Sequence, residues 1–245
     1  MGGLSRAMML PMSSGERPAR VGLLAPMPSE FAPLAKAFAL RRGESGYGGT
    51  SGSIELVAGK TGIGTKLASE ATERMLDAGD IGHVMVVGIA GGMGPSRVGD
   101  IVYPEVVVDK ATGAEYHPKP LSDVPSRGRL VTHDDFDMTD GERDALVADG
   151  FIAVDMETAA VAAVCERRGV PWSAVRSISD LVGVTPGDVI SLANADGTPN
   201  VGASIRYLVT KPWRIPRLVR LGIDSARAAK GAASAAARVV EAAAN

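Results

Sequence analysis

Two acidic residues lie among almost wholly apolar neighbours in the second half of the chain. Glu157 comes shortly after the apolar run Phe151–Val154, and Asp180 ends the run Val175–Asp180. A carboxylate in such surroundings costs free energy unless it is paired or used in chemistry. In open α/β sheets, ligands bind beyond the ends of the strands, which is where both residues are expected. We therefore interpret Glu157 and Asp180 as candidates for a ligand site.

The segments around these carboxylates alternate between predicted strands and predicted helices. Strands alternating with helices predict a layered α/β sandwich. Apolar runs predict seven strands, the fourth broken at Pro104: Arg20–Pro26, Ser53–Ala58, His83–Ile89, Val98–Val108, Arg129–Thr132, Phe151–Val154 and Trp172–Ile178. Helical spacing and capping residues predict four helices: Ser29–Leu40 with Ser29 as N-cap, Thr65–Ala78, one capped near Thr139 or Asp140, and Met156–Arg168.

Composition narrows the function classes. The 245 residues suffice for one large α/β domain, and 26 Lys plus Arg against 28 Asp plus Glu argue against a nucleic-acid-binding protein. The lone Cys165 is interpreted as a core residue and favours a reducing, cytoplasmic location. No apolar stretch reaches the length of about eighteen residues that suggests a membrane span. We expect a flexible segment over residues 1–19 and a single domain over residues 20–245.

The C-terminal tail, about residues 206–245, is Ala-rich and basic. We predict helix over Tyr207–Ala244, interrupted at Pro212 and Pro216. Seven cations stand against one aspartate in residues 206–230. Two interpretations stay open: a terminal helix that packs its apolar side on the domain, or a helix that makes weak contact with a membrane surface or a partner.

Several common chemistries lack their motifs. Gly62 and Gly64 are followed by Leu67 where a dinucleotide fingerprint needs a third glycine, and Gly88–Gly94 lacks the Lys and Ser/Thr of a P-loop. The three histidines do not have metal-site spacing, and no Gly-x-Ser-x-Gly elbow is present. We expect neither a metal nor a cofactor. The glycines after His83–Ile89 either form a tight turn or bring backbone N–H groups close to a ligand.

Three groups of segments share a characteristic order and spacing. They are Val21–Glu30, then Thr61–Gly64 with Val87–Pro95 and Val98–Val102, and finally Ala153–Glu157 with Val175–Asp180. In this order and spacing they resemble the nucleoside phosphorylase and nucleosidase superfamily, and most closely its methylthioadenosine/S-adenosylhomocysteine nucleosidase branch. The resemblance implies a three-layer α/β/α sandwich around a twisted mixed sheet, a homodimer and an N-glycosidase.

The resemblance implies separate roles for the acidic residues. Asp180 matches the general acid that protonates N7 of a purine leaving group, and Ser179 would orient its carboxyl. Glu157 matches the carboxylate that holds the ribose hydroxyls and stabilises the positive charge that develops on the sugar. Glu30 matches the glutamate that activates water, and Arg176 an arginine near that water. These roles suit a bond cleavage that builds positive charge on the ribose and negative charge on the base.

The resemblance also implies the lining of the substrate site. Met156 would lie under the ribose, and Phe136 would stack on the base. The other implied lining residues are Met27 and Ile63, beside the ribose and its 5′ substituent, and Ala90 and Gly91, in the glycine-rich turn. Taken singly, each catalytic acid also has a structural explanation, as a helix N-terminal acid or a turn residue.

Water rather than phosphate is the predicted nucleophile. Phosphorylases of this superfamily carry one arginine after the first strand and another before the glycine-rich turn, where arginines suit a phosphate dianion. The matching segments Ala25–Glu30 and Val84–Ile89 contain none, and Glu30 would repel phosphate. We therefore favour hydrolysis of 5′-methylthioadenosine or S-adenosylhomocysteine, with a purine nucleoside phosphorylase as the alternative.

Two departures from the nucleosidases keep other readings open. Ile89 stands where they commonly have Ser, and Asp137 where they have an apolar residue. An N-glycosidase acting on a bulkier 5′-substituted adenosine is one alternative, for which the basic, Trp-bearing tail would matter. A nucleoside-binding regulatory protein is the non-enzymatic alternative, and Glu30, Glu157 and Asp180 argue against it because a binder does not need all three.

Overall fold

A computed structural model describes residues 18–43, 46–135, 138–182, 194, 196–198, 200 and 210–245. Phe136, Asp137, most of the predicted N-terminal segment and the start of the basic tail lie outside the described residues. The described chain forms the predicted three-layer α/β/α sandwich around a mixed sheet.

The strands start and stop close to the ends of the apolar runs. Strands β2, β3 and β8 were not predicted, because β2 is exposed, β3 is rich in glycine and β8 has only two residues. The strands are β1 Arg20–Ala25, β2 Arg41–Gly43, β3 Gly46–Ser51, β4 Ile54–Lys60, β5 His83–Gly92, β6 Ile101–Val102, β7 Val106–Asp109, β8 Glu115–Tyr116, β9 Arg129–Thr132, β10 Phe151–Asp155 and β11 Trp172–Leu181.

Five α-helices and a short 3₁₀ helix, Pro212–Arg214, complete the described fold. The α-helices are α1 Pro28–Ala37, α2 Thr65–Asp77, α3 Asp140–Ala148, α4 Thr158–Arg168 and α5 Ile215–Ala244. The predicted cap of α3 is confirmed, because the Thr139 hydroxyl accepts a hydrogen bond from the Glu142 N–H.

The predicted starts of two helices are wrong. Met27, not Ser29, is the N-cap of α1, whose first residue is Pro28. Proline suits that position because a first-turn N–H has no helical partner to lose. Helix α4 begins at Thr158 rather than Met156, because a buried aspartate just before it holds the backbone N–H groups of its first turn.

Strand β5 is the centre of the sheet. The strands run in the order β2-β3-β4-β1-β5-β10-β9-β7-β8, and β11 pairs with β5 and β6. Strands β1 and β11 are parallel to β5, whereas β10 pairs antiparallel with its last two residues, Gly91 and Gly92. The carboxyl ends of the parallel strands β5 and β11 therefore lie at one edge of the sheet, and the last residues of β10 flank the same end of β5, with Val154 opposite Gly91.

Helices cover both faces of the sheet. Helices α1 and α5 pack on one face and α2 and α4 on the other, and β1 sends Leu23 to the first layer and Leu24 to the second. Cys165 is fully buried in the second layer, which confirms that it is a core residue.

The tail helix α5 has two different halves. From Ala228 onward most of its alanines are buried against the domain, whereas Val219 in its first half is 56% exposed. Trp213, in the 3₁₀ helix just before α5, is 72% exposed. The predicted interruption at Pro216 is wrong, because this proline lies in the first turn of α5, where it breaks no helical hydrogen bond. None of the helices within the described ranges is long and apolar enough to cross a membrane.

Candidate active site

Arg176 is the centre of a fully buried charge cluster at this edge. Its Nη2 lies 2.5 Å from Oδ2 of Asp155 and 3.7 Å from Oε2 of Glu157. The same Nη2 donates to the Thr158 hydroxyl at 2.8 Å, and Nη1 donates to the Ile89 carbonyl at 3.4 Å. Burial opposes the charge of Arg176, but the neighbouring carboxylates raise its pKa. Four partners therefore fix one guanidinium among strands β5, β10 and β11 and the start of α4.

Glu157 joins this cluster from the N-terminus of α4. Its Oε1 accepts the N–H of Gly64 at 3.0 Å, which ties the turn before α2 to the carboxylate. Gly64 has φ +96°, a conformation that glycine adopts at little cost. Burial raises the pKa of Glu157 to about 8; Arg176 opposes this shift, and the nearby carboxylates of Asp155 and Glu30 add to it.

Glu30 approaches from the first turn of α1. Its Oε2 accepts the Met27 N–H and its Oε1 accepts the Ile89 N–H, both at 2.8 Å. Burial raises the pKa of Glu30 to about 7, while Arg176 and the two backbone donors lower it. A carboxylate with a pKa near neutrality is well placed to take a proton from water at physiological pH.

Gly88 is what allows these side chains to meet over β5. A Cβ added there would lie 2.5 Å from Nη1 of Arg176 and closer still to Oε1 of Glu30. Any larger residue would push the two side chains apart. The glycine therefore serves a close approach of side chains.

Asp180 lies at a bulge in β11, further along the same strand than Arg176. Ile178 pairs with Ala90 and Asp180 pairs with Gly91, so Ser179 is an extra residue between the two pairs. Such bulges re-aim side chains and are frequent next to active sites. The Ser179 hydroxyl donates to Oδ1 of Asp180 at 2.7 Å, the contact that its expected orienting role requires.

The remaining predicted lining residues that the structure describes neighbour the acids, or residues bonded to them, along the chain or by strand pairing. Met27, Ile63 and Met156 are half-buried, and Ala90 and Gly91 are buried. Gly197 lies against the start of α1, where a Cβ added to it would be 2.7 Å from Cγ of Met27. Phe136, the expected stacking residue, lies outside the described residues.

Sequence reasoning missed the residues that hold Arg176 in place. Asp155 accepts hydrogen bonds from the hydroxyls of Thr132, at 2.7 Å, and Thr158, and all three residues are buried. Two signals pointed to them: an arginine within an apolar run needs a buried counter-charge, and Asp155 stands just before a helix start. The network positions Arg176 and, through it, Glu157.

Comparisons with known proteins agree with the geometry. A family model described as the phosphorylase superfamily matches residues 20–146 and 124–199. A 5′-methylthioadenosine/S-adenosylhomocysteine nucleosidase of Geobacillus kaustophilus is 32% identical over 166 residues, which are 55% of this chain and 70% of that protein.

Solved structures show the same fold. The 5′-methylthioadenosine/S-adenosylhomocysteine nucleosidase from Helicobacter pylori with butyl-thio-DADMe-Immucillin-A matches with a TM-score of 0.68 and 19% identity, over 92% of this chain and 99% of that chain. The futalosine hydrolase of Helicobacter pylori matches with a TM-score of 0.66 and 20% identity, over 91% of this chain and 97% of that chain. At these identities the structures establish the architecture and no more.

Proposed function

The chain belongs to the phosphorylase superfamily, and we propose that it hydrolyses the N-glycosidic bond of an adenine nucleoside, with 5′-methylthioadenosine or S-adenosylhomocysteine as the expected substrate. Relatives named as nucleosidases of these two compounds, at 32% identity, support this reaction class. The observation that carries the proposal is the pair of buried carboxyls with raised pKa values, Glu30 and Glu157, held around Arg176, whose strand also carries Asp180.

We assign the leaving-group step to Asp180. As the C–N bond breaks, electrons move onto the purine, and a carboxylic acid that donates its proton to N7 removes that charge. The bulge at Ser179 and the serine hydroxyl hold the carboxyl at the strand end. In its ionised form, Glu157 would hold the ribose hydroxyls and stabilise the cationic sugar from the other side of the bond.

We assign water activation to Glu30, which favours hydrolysis over phosphorolysis. Its pKa of about 7 suits a general base. A phosphate dianion would need cations that are not already paired. Arg176 is already bound to Asp155 and faces two further carboxyls, so this cluster suits a neutral nucleophile.

Product analysis tests the function. The chain would be incubated with methylthioadenosine, S-adenosylhomocysteine, adenosine and inosine, each with and without phosphate. We expect free adenine at a rate that phosphate does not change. When the reaction is run in isotopically labelled water, the released sugar should carry the labelled oxygen. Strict dependence on phosphate, with a sugar 1-phosphate as product, would make the chain a phosphorylase and overturn the role of Glu30.

A homodimer, a cytoplasmic location and a weak membrane-surface contact of the tail complete the proposal. The unpaired, buried Cys165 supports a reducing compartment.

Exposed Trp213 and Val219, on the same segment as Arg217 and Arg220, support the surface contact. Light scattering tests the dimer. Sedimentation with anionic liposomes, compared between the chain and a Trp213→Ala variant, tests the contact, and the absence of liposome binding would remove it.

A further inference from the structure

A large groove separates the first helix from the tail helix. It has a volume of about 1010 Å³ and runs between α1 and the first two-thirds of α5. Ligand pockets that enclose an entire drug-sized molecule are roughly 300–1,000 Å³. The groove is therefore far larger than a methylthio group requires.

The groove opens directly from the candidate active site. Met27, Glu30 and Ile89 line it, and these are the residues joined by the two hydrogen bonds of the Glu30 carboxylate. One chamber therefore contains the proposed water-activating group and continues outward along two helices. Whatever fills the groove would touch a molecule bound in the site.

The walls of the groove are largely apolar. Pro33 of α1 faces Leu218, Leu221 and Ala229 of α5 across it, and Gly222 leaves additional room on the α5 side. The lysines that line it, Lys36 and Lys230, are exposed, so that their ammonium groups can stay in solvent while their stems cover apolar surface. This lining suits a hydrocarbon chain better than a charged one.

The assigned roles leave one part of the nucleoside to enter the groove. In the proposed function, the base lies at Asp180 and the ribose hydroxyls at Glu157. The exocyclic carbon C5′ is then the only other position of the nucleoside that carries a substituent. The groove begins at Met27 and Glu30, away from the residues assigned to the base and to the ribose hydroxyls. The inference rests on the proposed function and extends it to the substrate class.

We propose that the groove binds the 5′ substituent, and that the preferred substrates are adenosines with a long, largely apolar 5′ chain. Burial of each methylene is worth about 0.8 kcal/mol, which is roughly a fourfold gain in kcat/KM. A second copy of this chain, or another segment of the chain itself, could also cover an apolar groove. Continuity with the catalytic carboxylate favours a group that is covalently attached to the substrate.

A series of 5′-alkylthioadenosines from methyl to octyl tests the proposal. Adenine release would be measured at concentrations below micelle formation. We expect kcat/KM to rise about two- to fourfold per methylene over the first members of the series. A flat series with normal cleavage of methylthioadenosine would overturn the groove assignment and leave the proposed function standing. No cleavage of any member would overturn the proposed function itself.

Two variants of α5 make the test specific. Gly222→Phe adds a ring to the groove at a position where a Cβ meets no atom within 4 Å. It should flatten the rise, measured as the ratio of octyl to methyl kcat/KM. Val219→Phe places the same ring on an exposed position outside the groove lining and should keep the wild-type ratio. An unchanged octyl-to-methyl ratio in Gly222→Phe would mean that the alkyl substituent binds outside the groove, and would overturn the proposal. A change of oligomeric state that accounts for the lower ratio would overturn it as well.

Discussion

Glutamates in two regions of this molecule have opposite electrostatic settings. At the edge of the sheet, burial raises the pKa of Glu30 to about 7 and that of Glu157 to about 8. On the surface, hydrogen bonds from Arg167 lower the pKa of Glu73, and hydrogen bonds from Thr139 lower that of Glu142 to about 2. The same side chain is therefore a fixed anion in one region and a group that exchanges protons near neutrality in the other.

The surface glutamates and the buried glutamates contribute differently to the stability of the fold. The surface glutamates join elements: Glu73 of α2 binds Arg167 and Arg168 of α4. The buried glutamates oppose stability when they ionise, because their charges lie together in a medium that solvates them poorly. We attribute their presence to the proposed chemistry rather than to stability.

The largest effect is expected from Asp180→Asn. An amide has no acidic proton to give to the leaving base, so kcat should fall by about 10²–10⁴-fold. The Asn carbonyl can still accept the Ser179 hydroxyl, and nucleoside binding measured by calorimetry should therefore persist. Activity within about threefold of wild type would remove Asp180 from the mechanism.

Gly88→Ala should disrupt the packing of Glu30 and Arg176 against strand β5. The new Cβ would collide with Glu30 and Arg176, both fully buried, so the free energy of unfolding should fall by about 1–3 kcal/mol and activity should be lost with it. Gly141→Ala is the matched control. Its Cβ meets no atom within 4 Å in helix α3, and it should be neutral or stabilising by up to about 1 kcal/mol. Equal stability and activity of the two variants would contradict the described packing.

Glu157→Gln should change how stability depends on pH. A carboxyl with a raised pKa binds its proton more tightly in the folded state, so wild-type stability is lost as pH rises from about 4.5 towards the folded pKa of about 8. Gln cannot ionise, yet its carbonyl can still accept the Gly64 N–H. The stability of the variant relative to wild type should therefore increase between pH 5 and pH 8, by on the order of a few kcal/mol at most.

The matched control for that experiment is Glu142→Gln. The pKa of Glu142 is lowered, so its contribution to stability is present above about pH 4.5 and is lost only as pH falls towards 2. Urea unfolding of this variant should show no pH-dependent difference from wild type between pH 5 and pH 8. A difference in Glu157→Gln that also stays constant over this range would mean that the carboxyl is ionised throughout.

The smallest effect is expected from Glu73→Gln. The variant loses ion pairs between exposed side chains, which contribute little and are screened by salt. Its melting temperature should fall slightly at low ionic strength and match wild type at high ionic strength, with unchanged kcat/KM. A loss of activity would mean that the packing of α2 on α4 controls the site.

The sequence predicts most of the strands and helices, because an element that buries one face needs apolar residues at the spacing of a helix or of a strand, and the sequence shows that spacing. The run of residues His83–Ile89 is buried on both faces, and its strand position follows directly from composition. The exposed strand Arg41–Gly43 has no apolar residue to reveal it. The start of α1 depends on Met27 and Glu30 together, which a search for Ser or Thr caps overlooks.

Part of the site required the tertiary structure. The acids Glu30, Glu157 and Asp180 were identified from motifs, but the pairing of Arg176 with Asp155 depends on β10 and β11 both lying beside the end of β5. The bulge at Ser179 likewise depends on the register of β11 against β5, and local sequence does not encode a register. The groove beside Glu30 arises from the packing of residues about 190 positions apart.

The pH dependence of kcat/KM in wild type and in Glu30→Gln tests the central claim most directly. If the buried Glu30 is the general base, the wild-type rate should rise with pH through about 7, as its carboxyl loses a proton. In Glu30→Gln the rise through about 7 should disappear, and the rate should be low. A variant that keeps both the rise and the wild-type rate would show that the buried carboxyls are structural, and would contradict the account.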